Sequence, residues 1–196
     1  MFKIYYSLFT ILLTGLGSTT AQSNFQIMLA DSAYTLTKDR VTYDGRYFRI
    51  DYPNGDVPPH LGVCTDVVIR AYRKMGVDLQ KLVHQDMMQN FDLYPKLWGL
   101  KRTDRNIDHR RVPNLMKFFE RFGTVKAKSS QATDYLPGDI VCWNLEGGLT
   151  HIGIVSNIKV RDTNRYFIIH NIGLGQVLED CLFAFNIIGH YQYPML

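Results

Sequence analysis

The stretch Pro137-Gly138-Asp139-Ile140-Val141-Cys142-Trp143 is followed, past the glycine pair Gly147-Gly148, by Thr150-His151-Ile152-Gly153-Ile154-Val155-Ser156. A Pro-Gly-Asp turn, a short apolar run, a second turn and another short apolar run read as two neighbouring antiparallel strands. Tyr166-Phe167-Ile168-Ile169-His170 reads as a third strand and Gly189–Tyr193 as a fourth. Before Leu136 the apolar spacing is helical. Val67, Val68, Ala71 and Met75 recur at three- and four-residue steps behind Cys64, with Asp66 in the first turn, Arg70, Arg73 and Lys74 toward the end, and Gly76 as the stop. A second helix is expected from Asp78 to about Met88, with Leu79, Leu82 and Val83 inward. Pro113 opens a third, whose apolar set is Leu115, Met116, Phe118, Phe119 and Phe122 and whose end is Gly123. A weaker helical pattern covers Ile27–Tyr34. Helices first and closely spaced strands after them indicate an α+β domain, N-terminal helices packed on a C-terminal antiparallel sheet.

The chain begins Met1-Phe2-Lys3, runs apolar from Ile4 to Leu16 and ends that run in Gly17-Ser18-Thr19-Thr20-Ala21. A positive start, a short apolar core and small residues are the pattern of a secretory leader cleaved after Ala21. The apolar run falls short of the ~20 residues a membrane span needs. The expectation is therefore an exported protein, periplasmic or extracellular, with residues 1–21 as signal peptide and 22–196 as one domain. Removing 21 of the 196 residues leaves 175, enough for one real core. The formal charge of +4 includes Lys3, so +3 remains, mixed along the chain with no basic stripe. That gives no reason to expect a nucleic-acid partner, nor a membrane span after cleavage, and a monomer is expected. The three cysteines are an odd number, so at least one is free or paired between chains. A Cys142–Cys181 bridge is possible, and it would leave Cys64 as the odd one.

A cysteine at the first turn of a helix can be a packing residue, half of a disulfide, a metal ligand or a nucleophile. The helix N-terminus lowers a thiol pKa, and an imidazolium lowers it further, so a nucleophilic Cys64 needs a histidine from elsewhere. Of the six histidines, His151 starts a strand after a glycine turn and His170 ends the next strand. In an antiparallel pair those two positions are neighbours. This makes Cys64 a candidate nucleophile held as a thiolate by His151, with His170 orienting His151 and Asn171 as the rival orienter. The backbone N–H of Cys64 is a candidate oxyanion donor. Tyr52 and Asp56 are candidates for lining the site from the preceding loop. Asp108, His109 and Arg110, with Arg111, are candidates for holding a carboxylate-rich peptide, because Arg forks match carboxylates. No Cys-x-x-Cys or His-Glu-x-x-His spacing occurs, so no metal and no cofactor is expected.

His151-Ile152-Gly153-Ile154 after a Pro137-Gly138-Asp139 strand opener, with Cys64 on an earlier helix, resembles the NlpC-type cell-wall cysteine peptidases. More closely, the chain from about Tyr43 to Tyr193 resembles a family of exported bacterial proteins classed as a domain of unknown function. Tyr52–Pro58, Gly62–Val68, Asn106–Leu115, Pro137–Val141, His151–Ser156 and His170–Gly173 carry that likeness. The resemblance implies a papain-like fold and a Cys64-His151-His170 hydrolase acting on amide bonds of envelope peptides, peptidoglycan stem peptides foremost. A non-catalytic cell-wall-binding module and an acyltransferase using the same Cys-His pair are the alternatives. One departure is local. The cell-wall peptidases usually have Asp before the cysteine and Ser after it, where this chain has Val63 and Thr65, so substrate contacts beside Cys64 are expected to differ.

Overall fold

The computed structural model describes residues 24–194. The leader expected over residues 1–21 lies outside them. Among the described residues no helix is long and apolar enough to cross a membrane.

The chain forms α1 (Asn24–Leu36), a two-residue parallel pair β1 (Thr42–Tyr43) and β2 (Leu61–Gly62), then α2 (Cys64–Lys74), α3 (Leu79–Gln89) and α4 (Val112–Phe122). The remaining strands are β3 (Thr124–Val125), β4 (Ile140–Asn144), β5 (Thr150–Lys159), β6 (Tyr166–His170), β7 (Val177–Glu179) and β8 (Asn186–Gln192). They make one antiparallel sheet in the order β3-β8-β4-β5-β6-β7. The α+β architecture is as the sequence led one to expect. α1 is longer than the pattern at Ile27–Tyr34, and the three-residue edge strand β7 is too short to leave a periodic signal.

Alternation along the strands gives the sheet two faces. Ile140, Cys142, Ile152, Ile154, Ile169 and Tyr191 face the helices and join the main core with Leu29, Val67, Val68, Tyr72, Leu115 and Phe119. Val141, Trp143, Val155 and Ile168 face the other way and join a smaller core with Tyr135, Cys181 and Leu182. The three cysteines are free. Cys142 and Cys181 belong to opposite faces, which is why the possible bridge does not form.

α2 departs from the amphipathic stripe expected of it. Residues Cys64 to Tyr72 are all buried, because α1, α3 and β5 pack around the helix. Its polar residues are buried with partners. Asp66 accepts from Arg110 through both oxygens, at 2.9 Å each, and from the Val63 N–H at 2.7 Å. Arg70 meets Asp56 at 3.0 Å and donates to the Leu61 carbonyl. Burying charge is tolerated when it is paired and hydrogen-bonded in this way. Asp78 caps α3 by accepting from the Lys81 N–H, and Asp86 ties α3 to α4 through Arg121.

Gly138 sits at φ +82°, a conformation that costs a side chain dearly, and a Cβ there would lie 2.1 Å from the Gln26 carbonyl oxygen. The turn into β4 can press against α1 only because residue 138 is glycine.

Candidate active site

Cys64 is the first residue of α2, with extended Val63 as its N-cap and the Asp66 carboxylate closing back on the Val63 N–H. The sulfur is therefore fixed at the positive end of the helix. Arg110 braces this point from below. Besides gripping Asp66, its guanidinium donates to the main-chain oxygens of Arg46 and Asp44, holding that loop beside the helix start.

His151 opens β5 opposite Trp143, and their rings lie 5.8 Å apart on the face away from the helices. His170 ends β6 on that same face, as Ile168 does. Its Nδ1 lies 2.9 Å from His151 Nε2. Gly153 makes this approach possible. It shares the face of His151, and a Cβ there would meet Ile168 Cγ2 at 2.7 Å and His170 Cβ at 3.2 Å. The glycine two residues after the histidine thus lets β6 close in beside β5. Asn171 turns to the other side, and its Nδ2 donates to the Gly62 carbonyl at 3.2 Å, tying the end of β6 to the residues that precede Cys64. The structure thus gives the hydrogen bond to His151 to His170, and gives Asn171 a different task.

The relay continues to a residue the sequence reading missed. His170 Nε2 lies 2.9 Å from Glu179 Oε2, on the edge strand β7. An ionised carboxylate only accepts, so Nε2 of His170 carries its proton. Nδ1 of His170 then accepts, and Nε2 of His151 donates. Nδ1 of His151 is left with its lone pair, and among the described residues it has no hydrogen-bond partner. That is the tautomer a base needs. Glu179 left no trace in the sequence because a carboxylate on a three-residue edge strand has the look of any solvated residue.

Cys64 packs in the helix-side core, and the imidazoles occupy the other face. The backbone of β5 links the two. Burial pushes the Cys64 thiol up to about 12, and the Ile152 N–H directed at it pulls the other way, so the sulfur sits one peptide unit from His151. No hydrogen bond joins Cys64 to the His151 ring. Burial, helped by His170, lowers His151 to about 3. Burial also lowers His170, with Glu179 opposing. Both members of the pair are thus held neutral. The thiolate–imidazolium pair expected from sequence is not the state this environment favours, because the desolvation of two buried groups outweighs the helix terminus.

A cleft of ≈ 800 Å³ opens over Cys64, lined among others by Tyr43, Tyr47, Trp98, Arg110, Arg111, Leu149 and Thr150. The Arg111 guanidinium stacks on Trp98 at 4.7 Å, and its buried Nη1 has no partner. Of the five residues expected to hold substrate, Arg110 alone lines this cleft, and its charge is already matched by Asp66. Asp108 is buried against His84, at 3.2 Å, and the Asp104 N–H. His109 is buried, and burial lowers it to about 3. Tyr52 stands edge-on to His84, and Asp56 holds Arg70 and Arg73 away from Cys64. Arg111, next to Arg110, has a guanidinium N–H without a partner, as a carboxylate-binding fork requires. Tyr43, Tyr47 and Trp98 were not anticipated, since single aromatics in loops carry no periodic signal.

The family described as "Domain of unknown function (DUF1287)" matches residues 30–193. The chain is 51% identical over 172 residues to the uncharacterised protein YijF of Escherichia coli (strain K12), covering 88% of this chain and 83% of that protein. Among solved structures it is similar to NlpC1 from Trichomonas vaginalis, with a TM-score of 0.47 and 15% identity, covering 89% of this chain. It spans 46% of that protein's length, less than half.

Proposed function

The chain belongs to the DUF1287 family, whose description assigns no activity, and we propose that it is an exported cysteine hydrolase that cleaves amide bonds in envelope peptides, with peptidoglycan stem peptides as the leading substrate. The observation that carries this reading is the relay from Glu179 through His170 to His151. It leaves an unprotonated imidazole nitrogen without a protein partner in the same strand segment whose Ile152 N–H points at the sulfur of Cys64. His151 Nδ1 takes the proton from Cys64 as the sulfur attacks the amide carbonyl. The helix-start N–H of Cys64 faces the developing oxyanion. His151 then gives the proton to the departing amine, and water releases the acyl group from sulfur. Because thiol and imidazole start neutral, the proton moves during attack rather than before it. Arg111, stacked on Trp98 with a free buried N–H in the cleft, suits a substrate carboxylate near the scissile bond. The leader expected from the sequence over residues 1–21 and the resemblance around His151-Ile152-Gly153-Ile154 support the envelope as the source of the substrate.

The test is digestion of purified muropeptides, with products read by mass. Wild-type protein is expected to release a new amine and a new carboxylate from one amide. Cys64→Ala is expected to stop this with the fold unchanged. Wild-type turnover in Cys64→Ala overturns the nucleophile.

A second reading has its own support. Cys64 is 6% exposed, its thiol is held protonated and no hydrogen bond joins it to His151. Those are the marks of an inert, structural cysteine, and they support a module that binds cell wall without cutting it. Retention of muropeptides by both proteins, with cleavage by neither, would select that reading.

A further inference from the structure

Behind the two imidazoles, on the side away from the cleft, the sheet's far face brings together a third set of groups. His170 Nε2, Glu179 Oε2 and Cys181 Sγ converge at the β6–β7 edge. The nitrogen lies 2.9 Å from the carboxylate oxygen and 3.5 Å from the sulfur, and all three atoms fall within 4.8 Å of one another. His170 and Cys181 are buried, whereas the Glu179 side chain is 52% exposed, so the cluster is built on two fixed groups and opens to solvent through the third. Cys181 takes no part in the relay and forms no disulfide. One imidazole nitrogen, one thiolate and one carboxylate oxygen are the donor types a borderline-soft divalent ion collects, at about 2.0–2.3 Å each. Atoms 2.9–4.8 Å apart need little movement to surround such an ion. No sequence pattern marks this set, because 170, 179 and 181 fit none of the usual ligand spacings and meet only through the β6–β7 pairing, in which His170 is opposite Val177.

We propose that His170, Glu179 and Cys181 form a binding site for a divalent ion of the Zn²⁺ type, with water completing the shell, and that its occupation switches off His151. The second half rests on the hydrolase reading above. In the metal-free relay, Nε2 of His170 carries a proton for Glu179. An ion bound at Nε2 displaces that proton to Nδ1 of the same ring, and the Cys181 thiol gives its proton to solvent. Nδ1–H of His170 then donates to Nε2 of His151, which must accept. The His151 proton moves to Nδ1, the nitrogen that has to take the proton from Cys64. No charge is created on either imidazole and no bond to carbon changes. The same hydrogen bond persists with its direction reversed, and the base is lost.

The site is tested first without reference to activity. In Cys64→Ala protein, titration with Co²⁺ is expected to give one equivalent of binding and a thiolate-to-cobalt charge-transfer band in the near ultraviolet. Cys181→Ala in that background should abolish the band. The surface change Glu179→Gln, which leaves the buried residues in place, should weaken binding at least tenfold. An absent band, or one that survives Cys181→Ala in folded protein, overturns the site. The second arm adds Zn²⁺ to wild-type protein during muropeptide digestion. Loss of turnover at one equivalent, reversed by a chelator, is expected, and full turnover at saturation overturns the switch. A band in the first arm with no turnover at any zinc level in the second would establish the site while refuting the hydrolase reading, so the two failures are distinguishable.

Discussion

The two faces of the sheet solve the problem of buried polarity differently. On the helix side, the charges that brace the helices are buried as ion pairs, whereas near the cleft Asp108 Oδ1 and Arg111 Nη1 are left without partners. Asp66 is closed by Arg110 and the Val63 N–H, and Asp86 by Arg121, Tyr94 and Asn90. These pairs do not need to change; the first holds the helix that carries Cys64 and the second ties α3 to α4. On the far side one fixed pair, His190 with Asp139 at 2.7 Å, is buried as well, but at β5 and β6 the polar groups are imidazoles joined nitrogen to nitrogen, ending in a half-exposed carboxylate. Each ring there can exchange donor and acceptor roles with a small movement of protons. The lesson is that one face supplies rigidity and the other supplies protons, and Cys64 sits where they meet.

Breaking the proton-carrying face should cost the most activity. His151→Ala is expected to lower kcat/KM by about 10²–10⁴-fold, the range for losing a general base, with a melting temperature close to wild type. A loss of less than tenfold in steady-state assays would mean that His151 does not accept the Cys64 proton. Breaking the rigid face should instead show in stability. Arg110→Leu leaves Asp66 buried and unpaired, and about 3–5 kcal/mol should be lost in denaturant unfolding. If the variant unfolds with the wild type, the pair is not what holds the helix start.

Two changes sharpen the comparison at the seam. Gly153→Ala drives a methyl against Ile168 and His170 and should cost about 1–3 kcal/mol, the usual range for overpacking, with activity falling further than stability accounts for because His170 is pushed from His151. His170→Asn should keep measurable turnover while His170→Ala loses more, since Asn can still accept from the imidazole N–H. Equal rates for the two variants would remove His170 from any orienting role.

The smallest effect concerns pH. Burial holds His109 and His151 neutral down to about 3 in the folded protein. Unfolded imidazoles protonate near their ordinary value of about 6.5. Between those values the unfolded chain binds more protons, so stability should fall as pH falls through that window. A His151→Asn variant should lose less of its melting temperature between neutral pH and pH 4 than wild type. An identical decline in both would show that His151 is not held neutral.

How much of this was legible in the sequence varies by residue. The turn residues and apolar spacing were enough to predict the strands at Ile140, Thr150 and Tyr166 and the helix beginning at Cys64, because local sterics and a period of two or 3.6 act within a few residues. The adjacency of His151 and His170 followed from strand order alone, since antiparallel pairing brings the start of one strand beside the end of the next. The choice between His170 and Asn171 was not available, because it depends on which face of β6 turns toward which core. Arg111 was among the candidates of its charged stretch, but which of those residues faces the cleft, and the places of Glu179, Cys181 and Trp98, were out of reach for a related reason: each is set by pairing or packing across distances that no local pattern encodes. The protonation states were decided last, by tertiary structure alone. The sequence puts Cys64 at a helix N-terminus, which favours a thiolate, but only the packed fold removes the water around it, and desolvation is the larger effect.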